Sequence, residues 1–308
     1  MTTLLIADDV FLEHKVPEGH PERPERLLAI TDALADGRFA ALDRRGARPV
    51  DDATLATAHT EAYVASVRAA IPESGEATLD ADTYVSPMSF VAAASGAGGA
   101  CQAVDAVIGG EVSNAFCASR PPGHHAEADR AMGFCLFANA VIAARHAQRV
   151  HGAERVAIID WDVHHGNGTQ AIVWSDPSIL YGSTHQMPLY PGTGAVSETG
   201  AGNIFNAPLA PESGGAEFEE AFSTVLLPAV NAFAPDLIII SAGFDAHWRD
   251  PLASLNLREE DFAWATGEVM RLADRHCGGR IVSLLEGGYD LQGLSASVAA
   301  HVETLMKA

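Results

Sequence analysis

Positive charge is scarce in this chain: 19 Lys+Arg stand against 40 Asp+Glu, a formal net charge of -21 over 308 residues. Such a balance repels phosphate backbones and anionic lipid, which excludes direct nucleic-acid and membrane-surface binding as expected partners and favours cationic ones. Acidity also keeps a protein soluble, so charge alone names no substrate. Cysteine is scarce too: Cys101, Cys117, Cys135 and Cys277 are scattered and form no C-x-x-C pair. Neither a thiolate zinc site nor a disulfide framework is indicated, and a reducing compartment fits. The opening "MTTLLIADDV" has an apolar run too short for a signal peptide and no basic n-region, so none is expected, and no later stretch is expected to reach the ~20 apolar residues of a membrane span. The expectation is a cytoplasmic protein. Low-complexity linkers, fixed-period repeats and sharp shifts of composition are absent as well, so 1–308 reads as one domain, with 48% hydrophobic residues to build its core.

What is present is a set of short runs rich in Ile, Val and Leu: "NAFCAS", "RVAIID", "SILYGS", "DLIIISAG" and "RIVSLLEGG". Continuous runs of this kind suit strands covered on both faces, as in a parallel sheet. Between them "SFVAAASGAGGACQAVDAVIGG", "LFANAVIAARHAQRVHG", "FEEAFSTVLLPAVNAF" and "LREEDFAWATGEVMRLADRHCGG" read as amphipathic helices, several closing on glycine. The expected order is strand and helix in alternation throughout. A polar cluster follows each run: "RPPGHHAE", "DWDVHHGNG", "STHQMPLYPGTG", "GFDAHWRDP" and "EGGYD". Ligands of open parallel sheets bind beyond the carboxyl ends of the strands, so these loops are expected to converge.

Asp162 and His164 are two apart, and in an extended segment such residues point the same way, so both can grip one ion. Asp245, at another strand end, is the candidate third ligand of an open, catalytic site. A plain hydrogen-bonded Asp–His pair is the alternative reading of D-x-H. His124 and His125, in a loop stiffened by two prolines, suggest acid–base work with Asp160 and Asn167 as partners. Tyr289 follows two glycines, on a turn expected to be flexible, and is either an oxyanion donor or an anchor for its loop.

Together and in this order, "HPERPERLLAI", "RPPGHHAE", "MGFCLFAN", "DWDVHHGNGTQ", "SAGFDAHWRDPLASL" and "LEGGYD" resemble the zinc-dependent histone deacetylase family, in its class II and bacterial deacetylase-like branch, from His20 to Asp290. The resemblance implies an α/β arginase–deacetylase fold, a single domain with an eight-stranded parallel sheet flanked by helices. It makes Asp162, His164 and Asp245 ligands of one Zn2+, and Asp160, Asp162, His164, Ser183 and Thr184 the shell of a structural K+. His125 becomes the general base and then acid, with His124 as its electrostatic companion paired to Asp160. Asn167, where some relatives carry aspartate, should leave His125 less basic. Tyr289 matches the tyrosine of the transition state. Phe134 and Tyr190 resemble the walls of an acyl-lysine channel, Asp82 its rim, Gly288 its lining, and Arg26 a residue near the acetate exit. Relatives specialised for acetylpolyamines carry glutamate where this chain has Leu252.

The implied activity is metal-dependent hydrolysis of the acetamide of N-acetyl-lysine, in a protein or a small acetylated amine. An acetylpolyamine amidohydrolase is the alternative within the enzyme class. From another class, a zinc-loaded acetyl-lysine binder with little turnover would share the fold, but has no need of Tyr289.

Overall fold

The computed structural model describes residues 2–308. Its strands in chain order are β1 (Thr3–Ile6), β2 (Asp43–Arg45), β3 (Ala77–Thr78), β4 (Tyr84–Val85), β5 (Asn114–Cys117), β6 (Val156–Asp160), β7 (Ile179–Gln186), β8 (Ile204–Leu209), β9 (Leu237–Ala242) and β10 (Ile281–Leu285). Eight of them form one sheet in the order β2-β1-β5-β10-β9-β6-β7-β8, every neighbouring pair parallel. β3 and β4 make a separate antiparallel pair.

The unbroken apolar runs follow from burial on both faces. In β6, Val156 and Ile158 join one core cluster while Ala157 and Ile159 join the other; in β9, Leu237 and Ile239 oppose Ile238 and Ile240 in the same way. Helices Ser89–Ile108 and Asn139–His151 cover the first face, and Glu259–Cys277 and Leu291–Leu305 pack on the second. His151 and Cys277 are followed by Gly152 at φ 70° and Gly278 at φ 62°, the left-handed caps expected from the sequence.

Several elements depart from the sequence reading, each for a physical reason. β8, with Asn206 and Pro208, was not among the expected strands; it lies at the edge of the sheet, where a missing N–H costs no ladder bond. β2, the opposite edge, is "DRR", charge that discourages pairing with another chain. β1 and the short helix Asn167–Val173 also lay outside the expected elements. Strand and helix do not alternate throughout, because β7 and β8 are joined by a loop without a helix, and that loop carries Tyr190. The run "FEEAFSTVLLPAVNAF" is interrupted by a π-helical turn, Phe222–Leu226, just before Pro228, which cannot donate its N–H into an α-helical ladder. Contrary to expectation, helix Ser89–Ile108 is long and apolar enough to cross a membrane, although 78% of its apolar window is buried inside the fold.

One buried polar group in the second core makes stability depend on pH. The His301 ring packs against Phe116 and Trp161, while Thr266 Oγ1 and Ser283 Oγ lie 2.7 and 2.8 Å from its two nitrogens. Burial holds its pKa down at about 3, against about 6.5 in an unfolded chain. The unfolded state therefore takes up a proton first as pH falls. Stability is complete above pH 6.5 and drains away between about 6.5 and 3, by roughly 2 kcal/mol at pH 5 for this one group. Denaturant unfolding at pH 7 and pH 5 should show wild type losing about that much more than His301→Gln; equal losses refute the assignment.

Candidate active site

Five adjacent strands of the sheet, β5, β10, β9, β6 and β7, send their carboxyl-terminal loops to one place. Asp162 and His164 follow β6 and Asp245 follows β9, and one donor atom of each lies within 4.8 Å of the others. The route by which Asp162 and His164 meet differs from the sequence expectation. They sit in a bend beyond the strand, not in extended chain, closed by the His164 N–H donating to Asp162 Oδ1 at 2.9 Å. His164 Nδ1 then lies 3.2 Å from Asp162 Oδ1 and 3.1 Å from Asp245 Oδ2.

The remaining carboxylate oxygens are held by backbone. Gly287 N–H donates to Asp162 Oδ2 at 2.7 Å and Val163 N–H to Asp245 Oδ1 at 2.8 Å. A side chain at Gly287 would start 2.2 Å from Asp245 Oδ2, so only glycine brings this amide so near. Burial, with Asp162 beside it, pushes the Asp245 carboxyl up to about 7, and the two carboxylates carry His164 to about 10 against its own burial. Two buried carboxylates and one imidazole form a donor set short of positive charge, which fits a divalent ion such as zinc.

The two histidines of the β5 loop have opposite environments. His124 Nδ1 is 3.0 Å from Asp160 Oδ2 and its Nε2 is 3.8 Å from Asp162 Oδ1. Burial opposes its charge, but Asp162 and Asp160 outweigh it and hold the pKa well above the usual value. His125 Nδ1 meets Asn167 Oδ1 at 2.8 Å, and the Asn167 amide donates onward to Glu127 Oε1. Asn167 therefore accepts, Nδ1 carries the proton, and Nε2 is left as a lone pair without a protein partner among the described residues. Burial and the neighbouring His124 and His164 hold the His125 pKa well below its usual value. Charge resides on one ring and basicity without charge on the next.

Above them opens a cavity of about 170 Å³ lined by Asp82, His125, Gly133, Phe134, His164, Leu189, Tyr190, Leu252 and Tyr289. Phe134, held at φ 68°, is edge-on to Tyr289 with ring centroids 5.9 Å apart, and Tyr190 is edge-on to His125 at 5.2 Å. A side chain at Gly133 would begin 2.4 Å from the His125 ring, so the wall closes onto His125 only because that residue is glycine. Asp82 is tied into the rim by the Gly133 N–H at 3.2 Å. Tyr289 is not on a flexible turn. Its N–H donates to Asp250 Oδ2 at 2.7 Å, and Arg26 donates to Gly288 O at 2.6 Å and stacks over the Tyr289 ring at 5.1 Å. Burial and the carboxylates Asp245 and Asp162 keep the phenol protonated, and its hydroxyl has no protein partner among the described residues.

Gly288 supplies structure more than contact: at φ 126° it turns the chain and offers its carbonyl to Arg26. Arg26 itself is fully buried on Glu22, which Arg120 also grips. Ser183 lies opposite Asp160 in the β6–β7 register, its hydroxyl 2.9 Å from His185 Nδ1. The neighbouring Thr184 hydroxyl is buried with no hydrogen-bond partner among the described residues, an orphan that suits a cation with oxygen ligands.

Two carboxylates that hold the site together escape sequence reasoning. Glu286 takes the N–H groups of Gly123 and His124 at 2.7 and 3.2 Å and the Ser241 hydroxyl at 3.0 Å, so it sets the histidine loop. Asp250 fixes both the Tyr289 and the Leu252 backbone. The only sequence signal was a Glu and an Asp beside loop glycine and proline, where backbone donors are abundant.

A model of the histone deacetylase domain matches residues 20–305. The histone deacetylase-like amidohydrolase of Pseudomonas aeruginosa is 43% identical over 279 residues, covering 88% of this chain and 73% of that protein. The probable deacetylase of Archaeoglobus fulgidus is 39% identical over 300 residues, covering 95% of this chain and 83% of its own. The crystal structure of the HDA15 HD domain matches with a TM-score of 0.94 at 38% identity, over 99% of this chain and 88% of that one. With a parallel sheet whose five central loops build one buried Asp-His-Asp and His-His cluster, and with relatives of this closeness, the chain belongs to the histone deacetylase family.

Proposed function

We propose that this protein is a zinc-dependent deacetylase that hydrolyses the acetamide of N-acetyl-lysine, on a protein or a small acetylated amine, to acetate and the free amine. The observation that carries the reading is the cavity itself. Its walls, Phe134, Tyr190 and Leu252, suit the methylenes of a lysine side chain, and its floor presents His164, the His125 lone pair and the unengaged Tyr289 hydroxyl. A divalent metal held by Asp162, His164 and Asp245 would supply Lewis-acid polarisation of the acyl carbonyl and acidify a water beside it.

The chain's own groups supply the rest. His125 Nε2 takes the proton of the attacking water as its oxygen bonds to the acyl carbon, and Asn167 keeps the ring in the required tautomer. Tyr289 donates its hydroxyl to the developing oxyanion. The proton on His125 passes to the amine nitrogen as the C–N bond breaks, which leaves the histidine neutral and releases acetic acid, whose remaining proton is lost to the free amine or to water to give acetate. His124, charged between Asp160 and Asp162, balances the buried carboxylates and does not compete for that proton. A K+ ion held by Asp160, Asp162, His164, Ser183 and Thr184 would brace the β6–β7 edge of the site; the orphaned Thr184 hydroxyl supports it.

The protein should release acetate from an acetyl-lysine peptide and lose that activity on chelation. Full metal loading with no acetate released would leave the binder reading instead. Substrate class turns on Leu252, which lines the cavity. An internal ammonium passing leucine sheds water without gaining a charge-assisted bond worth roughly 1.5–3 kcal/mol. Acetyl-lysine should therefore be preferred over acetylspermidine. Leu252→Glu should move the ratio of the two kcat/KM values toward the polyamine by roughly tenfold or more. A wild type that already prefers acetylspermidine overturns the choice.

A further inference from the structure

Metal-competent side chains also meet on the surface, at the other end of the sheet. Asp105 lies in the last turn of helix Ser89–Ile108, and His146 and His151 lie in the final turns of helix Asn139–His151. Each helix leads into a parallel strand, β5 and β6, so both run against the strands and end where the strands begin, away from the cavity loops. His146 Nε2 and His151 Nε2 lie 2.7 and 2.6 Å from one oxygen, Asp105 Oδ1, with ring centroids 5.8 Å apart. One donor atom from each of the three residues falls within 4.8 Å of the others.

The electrostatics favour a cation there. Partial burial works against the Asp105 charge, but the two imidazoles hold its carboxyl below the usual range, so it is an anion at neutral pH. No Lys or Arg pairs with it among the described residues. Two helix C-termini add about half a negative charge each. The Nδ1 atoms of both rings have no protein partner among the described residues, so either ring can carry its proton there and offer Nε2 as a lone pair. Two imidazoles and one carboxylate, with the other positions open to water, suit a first-row transition ion; calcium and magnesium prefer oxygen ligands alone.

We propose that Asp105, His146 and His151 form a second metal site, separate from the cavity, which takes a divalent ion of the zinc class and ties the ends of the two helices together. The protein loaded at its catalytic centre and dialysed against Zn2+ should hold two equivalents in wild type and one in His146→Gln/His151→Gln, with the acetate-release rate equal in both. Added zinc should raise the Tm of wild type and leave that of the double variant unchanged. Asp105→Asn provides an independent variant with the same expected loss. Asp245→Ala should keep the surface equivalent while losing the catalytic one, so the two metal assignments stand or fall separately. Equal zinc content in wild type and the double variant, with equal Tm responses, would show that the three residues form a hydrogen-bonded surface triad and nothing more.

Discussion

Asp245→Ala is expected to lose one equivalent of divalent metal and roughly 10³-fold or more of kcat/KM. The reasoning starts from charge. Asp162 and Asp245 are both buried beside His164, and removing Asp245 takes one of the two proposed anionic ligands and opens one corner of the site. Lewis-acid stabilisation of a developing oxyanion is worth several kcal/mol, and about 1.4 kcal/mol is one decade of rate. The same change strands the Val163 N–H, which donates to Asp245 Oδ1 at 2.8 Å, so the alanine variant also loses about 1–3 kcal/mol of stability. Asp245→Asn separates the two effects, because its amide oxygen still accepts from Val163 while the ligand charge is gone. Metal analysis and kcat/KM on both variants decide the matter. A full metal complement with wild-type turnover in the alanine variant would remove Asp245 from the site.

Tyr289→Phe should lower kcat by roughly 10²–10³-fold and leave the metal content as in wild type. The hydroxyl has no protein partner among the described residues, so its removal orphans none of them, and the phenyl ring retains its contacts with Phe134 at 5.9 Å and the Arg26 guanidinium at 5.1 Å. The backbone stays pinned by Asp250. The loss should fall on kcat more than on KM, since the donor is needed where charge develops on the carbonyl oxygen and not where the lysine side chain packs. A phenylalanine variant that turns over acetyl-lysine at the wild-type rate would make Tyr289 the loop anchor that its sequence context equally allowed.

Much of the fold was legible because its strands are buried on both faces, which leaves continuous apolar runs such as "RVAIID" and "DLIIISAG". The edge strands were not: β2 is charged and β8 carries proline, both permitted only where one side of the ladder is unpaired. The helix Ser89–Ile108 was legible as a helix but not as amphipathic: it is buried on nearly every side, so by length and hydropathy it matches a membrane span.

At the site, residue types and motif order sufficed to bring Asp162, His164 and Asp245 together in expectation, because a strand end crowded with Asp and His has few ways to be satisfied without a cation. Order along the chain also separated the five loops and placed His124, His125 and Tyr289 among them. Geometry was decided elsewhere. The bend at Asp162–His164 is local, but the Gly287 amide reaching the Asp162 carboxylate, Glu286 beneath the histidine loop and Asp250 beneath Tyr289 all join residues far apart in sequence. The same holds for protonation. Two consecutive histidines are identical as letters, yet one is charged because Asp162 and Asp160 outweigh its burial, and the other is neutral because burial and the neighbouring His124 and His164 oppose its charge, while Asn167 sets which of its nitrogens holds the proton. Ligand identity follows from residue chemistry, which the chain carries in itself. Which nitrogen keeps its proton follows from neighbours within about 3 Å, and only the folded sheet brings those neighbours into reach.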